Sequence, residues 1–307
     1  MSKEPGPLGA GLRIEWHPVQ DSNLRPLAPE ASALFTELTG RRWKSLYMQP
    51  RTCQNGRGFV QPVSGHGAAV HLAEEHMDVE AVFFDVGNTL IYPQPPVGEV
   101  YARALRQAGI EADADLAEKH FQETWVRLRG RRPPGVLEYG TTEAEAIEWW
   151  RRVVRESFRP FGEPEDFDAL FKGLWEHFAS GRAWRVFDDV LPTVAELERR
   201  GVQFGLISNW DVRLENVLRD LGLWGRFRWP VVSAHVGTEK PEAAIFRHAL
   251  DLCGLSPGRV LHVGDSYEED VRGARRAGLQ AVWLRRGAAD GGQGVIEGLG
   301  ELLPMLG

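Results

Sequence analysis

Five short runs in this chain are apolar on both faces: EAVFFD (80–85), VQFGLIS (202–208), WPVVS (229–233), RVLHVG (259–264) and QAVWL (280–284). A strand with one wet face alternates apolar and polar residues. Runs without that alternation suit a parallel sheet covered by helices on both sides. Helical patterns at 192–200, 212–222, 241–253 and 268–277 separate the later runs. This βαβ rhythm predicts an α/β fold, a doubly wound parallel-sheet (Rossmann-like) core. Such sheets gather their sites at the carboxyl ends of the strands.

The interval between the first run and the second departs from the rhythm. Residues 93–185 read as helices only, at roughly 96–109, 113–129, 141–158 and 165–179, with breakers such as Arg132-Pro133-Pro134-Gly135 between them. A helical bundle inserted beside the strand ends predicts a lid over the site. The expected division is an α/β core of residues 77–92 and 186–307 and an all-helical cap of residues 93–185.

Residues 1–76 do not share this organisation. They are rich in breakers (Pro5, Pro7, Pro18, Pro26, Pro29, Gly56, Gly58, Pro62), and apart from a possible short helix at 30–40 they read as a disordered or non-native extension. Asp21-Ser22-Asn23 and Glu37-Leu38 can be encoded by codons whose reverse complements match a tRNA T-loop and the start of a D-arm, at about the spacing of those elements in a tRNA. The stretch DSNLRPLAPEASALFTELTG thus resembles an antisense reading of a tRNA gene, with Met77 as the expected start of the domain. The alternative is a genuine disordered extension, and the nucleotide sequence decides between them.

Net charge is −7 with no long basic run, which argues against nucleic acid or an anionic membrane as the main partner. Cys53 and Cys253 form neither a disulfide framework nor a zinc pattern. No apolar run approaches the ~18 residues of a membrane span. MSKEPGPLGAGL lacks a signal peptide's apolar stretch, so the expected location is the cytoplasm.

Four strand ends carry polar residues. The first run ends in Asp85, followed by Gly87, Asn88 and Thr89; the second ends in Ser208-Asn209; Lys240-Pro241 follows the third; the fourth enters Gly264-Asp265-Ser266, with Asp270 beyond. Taken singly, each has a plain reading. Asp265 and Asp211 suit helix N-caps, and Lys240 precedes a Pro241 suited to a first helical turn. Yet the chain has 31 Arg and only 5 Lys, so a Lys here hints at a site needing a compact point charge. Together the four ends support phosphoryl transfer. A carboxylate can attack phosphorus and form an aspartyl-phosphate. Asp85, a backbone carbonyl and Asp265 suit the oxygen ligation of Mg2+. Lys240 offsets charge, and Ser208 with nearby N–H groups holds phosphoryl oxygens.

In this order and spacing the four motifs resemble the haloacid dehalogenase-like (HAD) hydrolase superfamily, in its helical-cap branch, subfamily IA. The match covers about 79–290. PPVGEVYARAL (95–105) and EAIEWW (145–150) further resemble the group of haloacid dehalogenase-like hydrolase domain-containing protein 3. The resemblance implies Asp85 as nucleophile and Mg2+ ligand, the Gly87 carbonyl, Asp265 and Asp270 as further ligands, and Lys240 orienting Asp85. It implies Ser208, Asn209, Asn88 and Thr89 on the phosphoryl group of a small phosphorylated substrate. One position departs: Gly87 stands where phosphatases of this family carry a general-acid Asp. A phosphatase with an undemanding leaving group or an acid from elsewhere (Asp211 or the cap), a dehalogenase or phosphonate hydrolase, and a weak or inactive binding protein are the readings this leaves. Tyr139-Gly140-Thr141 is a cap segment placed to reach the site. Trp149 and Trp150 are expected in the cap core, one at most facing the site, and Trp224 or Trp229, if exposed, would mark a partner surface.

Overall fold

The computed structural model describes residues 77–133, 135–287 and 294–306. The expectations for residues 1–76 therefore lie outside the described residues. The strands are β1 (Ala81–Phe84), β2 (Ile91–Pro93), β3 (Trp184–Val186), β4 (Gln203–Ser208), β5 (Pro230–Val232), β6 (Val260–Gly264), β7 (Gln280–Leu284) and β8 (Val295–Ile296). Six of them form a parallel sheet in the order β5-β4-β1-β6-β7-β8. All five apolar runs of the sequence lie in it. The short β2 and β3 pair antiparallel as a separate ribbon; runs of three residues carry too little pattern to be read from sequence.

Successive side chains of β1 serve opposite faces, as strand geometry requires. Val82 and Phe84 pack with Leu206, Val263 and Val282 on one face, and Ala81 and Phe83 with Ile207 and Val231 on the other. Burying each large apolar side chain contributes about 1.5–3 kcal/mol, and β1 uses both faces for it. Asp85 thus follows a strand fixed between two apolar layers.

Four helices lie between β2 and β3: α1 (Val97–Gln107), α2 (Ala114–Arg129), α3 (Glu143–Phe158) and α4 (Phe167–Phe178). They share a core of their own, including Tyr101, Leu105, Phe158 and Phe171. Their starts are written locally. Asp113 accepts the Leu116 N–H, and Thr142 and Glu145 form a reciprocal capping box. The core helices α5 (Val190–Arg200), α6 (Leu214–Asp220) and α7 (Ala243–Cys253) cover the sheet.

Three expectations need correction. Pro241 is not in a first helical turn; Glu242 stands between it and α7. The patterned segment 268–277 is a π-helical turn (Tyr267–Arg272) followed by a short α-turn (Gly273–Arg276), and its cap is Ser266 rather than Asp265. Trp224 and Trp229 are half-buried against the core, Trp229 stacked on Phe83 at 5.8 Å, so neither forms an open partner surface. Among the described residues no helix is long and apolar enough to cross a membrane.

Candidate functional site

Asp85 leaves β1 into a turn closed by Leu90 N–H and Ile91 N–H on the Val86 carbonyl (2.8 and 3.1 Å). Asn88 takes a left-handed conformation there (φ 55°), which Asn tolerates better than most residues. The neighbouring strand end supplies Ser208, whose Oγ donates to Asp85 Oδ1 at 3.2 Å. Lys240 Nζ donates to the same oxygen at 2.7 Å and to Asp270 Oδ1 at 2.6 Å. Lys240 is itself fixed by Asn209: its N–H donates to Asn209 Oδ1 (2.7 Å), and Asn209 Nδ2 donates to its carbonyl (2.8 Å). The Asn209 amide, placed by sequence on a phosphoryl group, is therefore occupied in bracing the lysine backbone.

Asp270 reaches the site because Ser266 caps the π-turn that follows β6. Ser266 N–H donates to Asp270 Oδ2 at 2.9 Å. Gly264 makes the approach possible: a Cβ there would lie 2.2 Å from Asp270 Cγ. Asp85, Asp265 and Asp270 then offer carboxylate oxygens within 4.8 Å of one another.

The electrostatics follow from three carboxylates around one ammonium. Burial pushes the Asp85 carboxyl up while Lys240 pulls it back. Burial and the charges of Asp85 and Asp270 push Asp265 well above the usual range. Asp270 goes the other way: burial opposes its charge, but Lys240 and His262 outweigh it and hold it well below that range. Burial works equally against the Lys240 charge, and Asp270 and Asp85 overcome it. The cluster has more negative than positive charge in a poorly solvated place, and its donors are all oxygen. That combination fits a hard divalent cation. Thr89 adds a second open valence, for its Oγ1 is buried without a hydrogen-bond partner. Gly87 and Asn88 are half-buried beside it.

The helices α1–α4 reach this edge on two sides. On one, Trp150 Nε1 donates to Asp211 Oδ2 at 2.8 Å. Both Asp211 oxygens also receive Arg213 (2.9 and 2.7 Å), whose guanidinium lies 3.8 Å over the Trp175 ring. Asp211 is fully buried and also accepts the Arg213 N–H, in the turn ahead of α6. It is a brace between the two parts of the molecule, which removes it as a spare acid. On the other side, Arg132 meets Glu239 at 2.6 Å, Arg129 pairs with Glu269, and Glu138 N–H donates to Glu239 at 2.8 Å. Asn209 also donates to Glu269, at 3.3 Å.

Of the segment 139–141, Tyr139 is buried and stacks on Trp150 (5.8 Å), whereas Thr141 is exposed and turned to Glu145. Trp150 faces the core as well as its own bundle, whereas Trp149 Nε1 is buried without a hydrogen-bond partner. Glu138, Arg129, Glu239, Glu269 and His262 escaped the sequence reading. Only His262 left a signal, as a polar residue inside an apolar strand.

A family model for haloacid dehalogenase-like hydrolases matches residues 79–278. The chain belongs to the haloacid dehalogenase-like hydrolases. Among HAD-like proteins it is 33% identical to haloacid dehalogenase-like hydrolase domain-containing protein 3 of Danio rerio, over 68% of this chain and 86% of that one. It is 31% identical to a phosphoserine phosphatase of Thermus thermophilus, over 68% and 90%. A crystal structure of a HAD phosphatase from Thermococcus onnurineus superposes with a TM-score of 0.53 at 28% identity, covering 75% of this chain and 98% of that one. A six-stranded parallel sheet with a helical insertion is the architecture expected of a capped HAD-like hydrolase.

Proposed function

We propose that this HAD-like hydrolase is a Mg2+-dependent phosphatase that acts on a small phosphorylated metabolite. The observation that carries the reading is Asp85 at the end of the central strand, with one oxygen held by both Ser208 and Lys240. Similarity to a phosphoserine phosphatase supports the reaction class. Residues 77–92 and 186–307 form the catalytic core in this reading, and residues 93–185 the cap that selects substrate.

Asp85 attacks phosphorus with its carboxylate oxygen. The bond from phosphorus to the leaving oxygen breaks, and that oxygen departs with the electron pair. Water then attacks the aspartyl-phosphate, and phosphate leaves with the Asp85 carboxylate restored. Ser208 and Lys240 keep the carboxylate turned toward the substrate, and the Thr89 hydroxyl donates to a phosphoryl oxygen. Asp85, Asp265, Asp270 and the Gly87 carbonyl are the groups that would hold Mg2+. When bound, it neutralises charge between the nucleophile and the phosphoryl group. Gly87 carries no acid, and Asp211 is committed to Arg213 and Trp150. Substrates whose leaving group departs without a proton, such as acyl or enol phosphates, therefore suit the site.

The test is phosphate release from a panel of phosphate esters and acyl phosphates, with and without Mg2+. Turnover that needs Mg2+ and vanishes in Asp85→Asn is the expected result. Halide release from haloacids without added metal would replace the reading with a dehalogenase. Ligand binding without turnover on any member would replace it with a binding protein.

A further inference from the structure

His262 is a buried titratable side chain beside the site with no part in the chemistry above. It sits in the middle of β6, a central strand that is otherwise apolar, and is fully buried. A polar ring there costs about 1–3 kcal/mol unless it is hydrogen-bonded. Its Nδ1 is buried without a partner, and its ring packs edge-on against Phe246 at 5.4 Å. All of its polar work is therefore done by Nε2, which lies 2.9 Å from Asp270 Oδ1. An ionised carboxylate only accepts, so Nε2 is the donor.

That oxygen is also the one that receives Lys240 Nζ. The other Asp270 oxygen receives Ser266 N–H. Asp270 is thus pinned by a helix-cap backbone on one side and by His262 on the other, and Lys240 is left to bridge the pinned carboxylate and Asp85. Without His262, Asp270 Oδ1 would keep only the Lys240 ammonium, a partner it shares with Asp85, so the carboxylate could turn about the Ser266 bond and draw the ammonium away from the nucleophile. We infer that His262 is a positioning residue: it fixes Asp270, and through Asp270 the placement of the Lys240 ammonium on Asp85. The inference rests on the phosphatase reading for its effect on rate, and on the hydrogen bonds alone for its effect on Lys240.

The test uses His262→Phe and His262→Leu, which remove the donor and keep an apolar filling, and His262→Gln, whose amide restores a donor near Nε2. The expected result is a fall in kcat of about tenfold in the donor-less variants, ~1.4 kcal/mol in the barrier. KM should stay within about twofold and His262→Gln should recover most of the rate, since the group acts on the nucleophile's partner and not on substrate. A second readout does not depend on turnover. Lys240 is one of five lysines in the chain, so its ammonium can be followed by 15N NMR and assigned with Lys240→Arg. The resonance should shift or broaden in His262→Phe and return in His262→Gln. An unchanged Lys240 resonance in whichever donor-less variant folds overturns the inference, as does a Gln variant damaged as far as the Phe variant. A wild type that turns over nothing refutes the phosphatase reading, while the resonance still decides the role of His262.

Discussion

Replacing Glu138 by Gln should make the protein more stable in mild alkali and leave it unchanged in acid. The Glu138 side chain has no exposed surface and lies between Arg129 (Nε to Oε2, 2.8 Å) and Arg132 (4.0 Å), with Glu239 and Glu269 facing the same arginines. Three carboxylates share two guanidiniums. Burial is the largest influence on the Glu138 carboxyl; Arg129 opposes it, Glu269 reinforces it, and the result is a shift from the ordinary 4.5 up to about 7. The unfolded chain releases this proton near pH 4.5 and the folded chain holds it until about pH 7. Stability is therefore full below pH 4.5, falls as pH rises toward 7, and stays low above it. A shift of this size corresponds to about 3 kcal/mol. Gln keeps the shape and carries no charge to lose. At pH 8 it should raise the melting temperature by several degrees, the size such an energy produces in a chain this long. At pH 4 the two proteins should melt together. Thermal melts at half-unit pH steps, with hydrogen exchange at residues 129–139, measure this. If the Gln variant retains the wild-type slope between pH 4.5 and 7, or melts no higher at pH 8, the placement of Glu138 in a crowded acidic junction is refuted.

Two further perturbations read the site directly. A Cβ at Gly87 would have Trp210 Cζ3 as its nearest neighbour, at 3.4 Å, an ordinary contact, so Gly87→Asp has room at its root. It should supply the absent acid and raise kcat/KM for alkyl phosphates by about 10²-fold or more, with little change for p-nitrophenyl phosphate. An equal effect on both would show that no proton is wanting. Gly264→Ala, by contrast, drives a methyl into Asp270 and should cost about 1–3 kcal/mol by overpacking. It should also abolish activity at temperatures where the fold survives, as denaturant midpoints and assays on the same sample would reveal.

The convergence of Asp85, Ser208, Lys240, Asp265 and Asp270 could be read before any coordinates because each stands at the end of a run apolar on both faces or in the segment that follows one. A parallel sheet leaves such ends nowhere else to go. The cap helices were legible for a similar reason, since their starts are written in local capping residues such as Asp113 and Thr142. Their place beside the strand ends was expected from where they interrupt the sheet, but the pairs that seat them on the core were not legible. Arg129, Glu138, Glu239 and Glu269 are ordinary surface residues on their own elements and acquire meaning only where the elements meet. Asp211 shows the opposite case. Its helix-entry role is local and visible, whereas its bond to Trp150 comes from another part of the fold.

The ribbon of β2 and β3 has a mechanical consequence. The chain passes from Asp85 through the turn at 86–90 straight into β2, and Gly87 bridges to Ile91 while Asn88 N–H donates to the Ile91 carbonyl at 2.8 Å. The link between the sheet and the helical bundle is therefore tied to the backbone that carries Asp85. Any displacement of the bundle relative to the sheet would load that turn through β2, and with it the aim of Asp85.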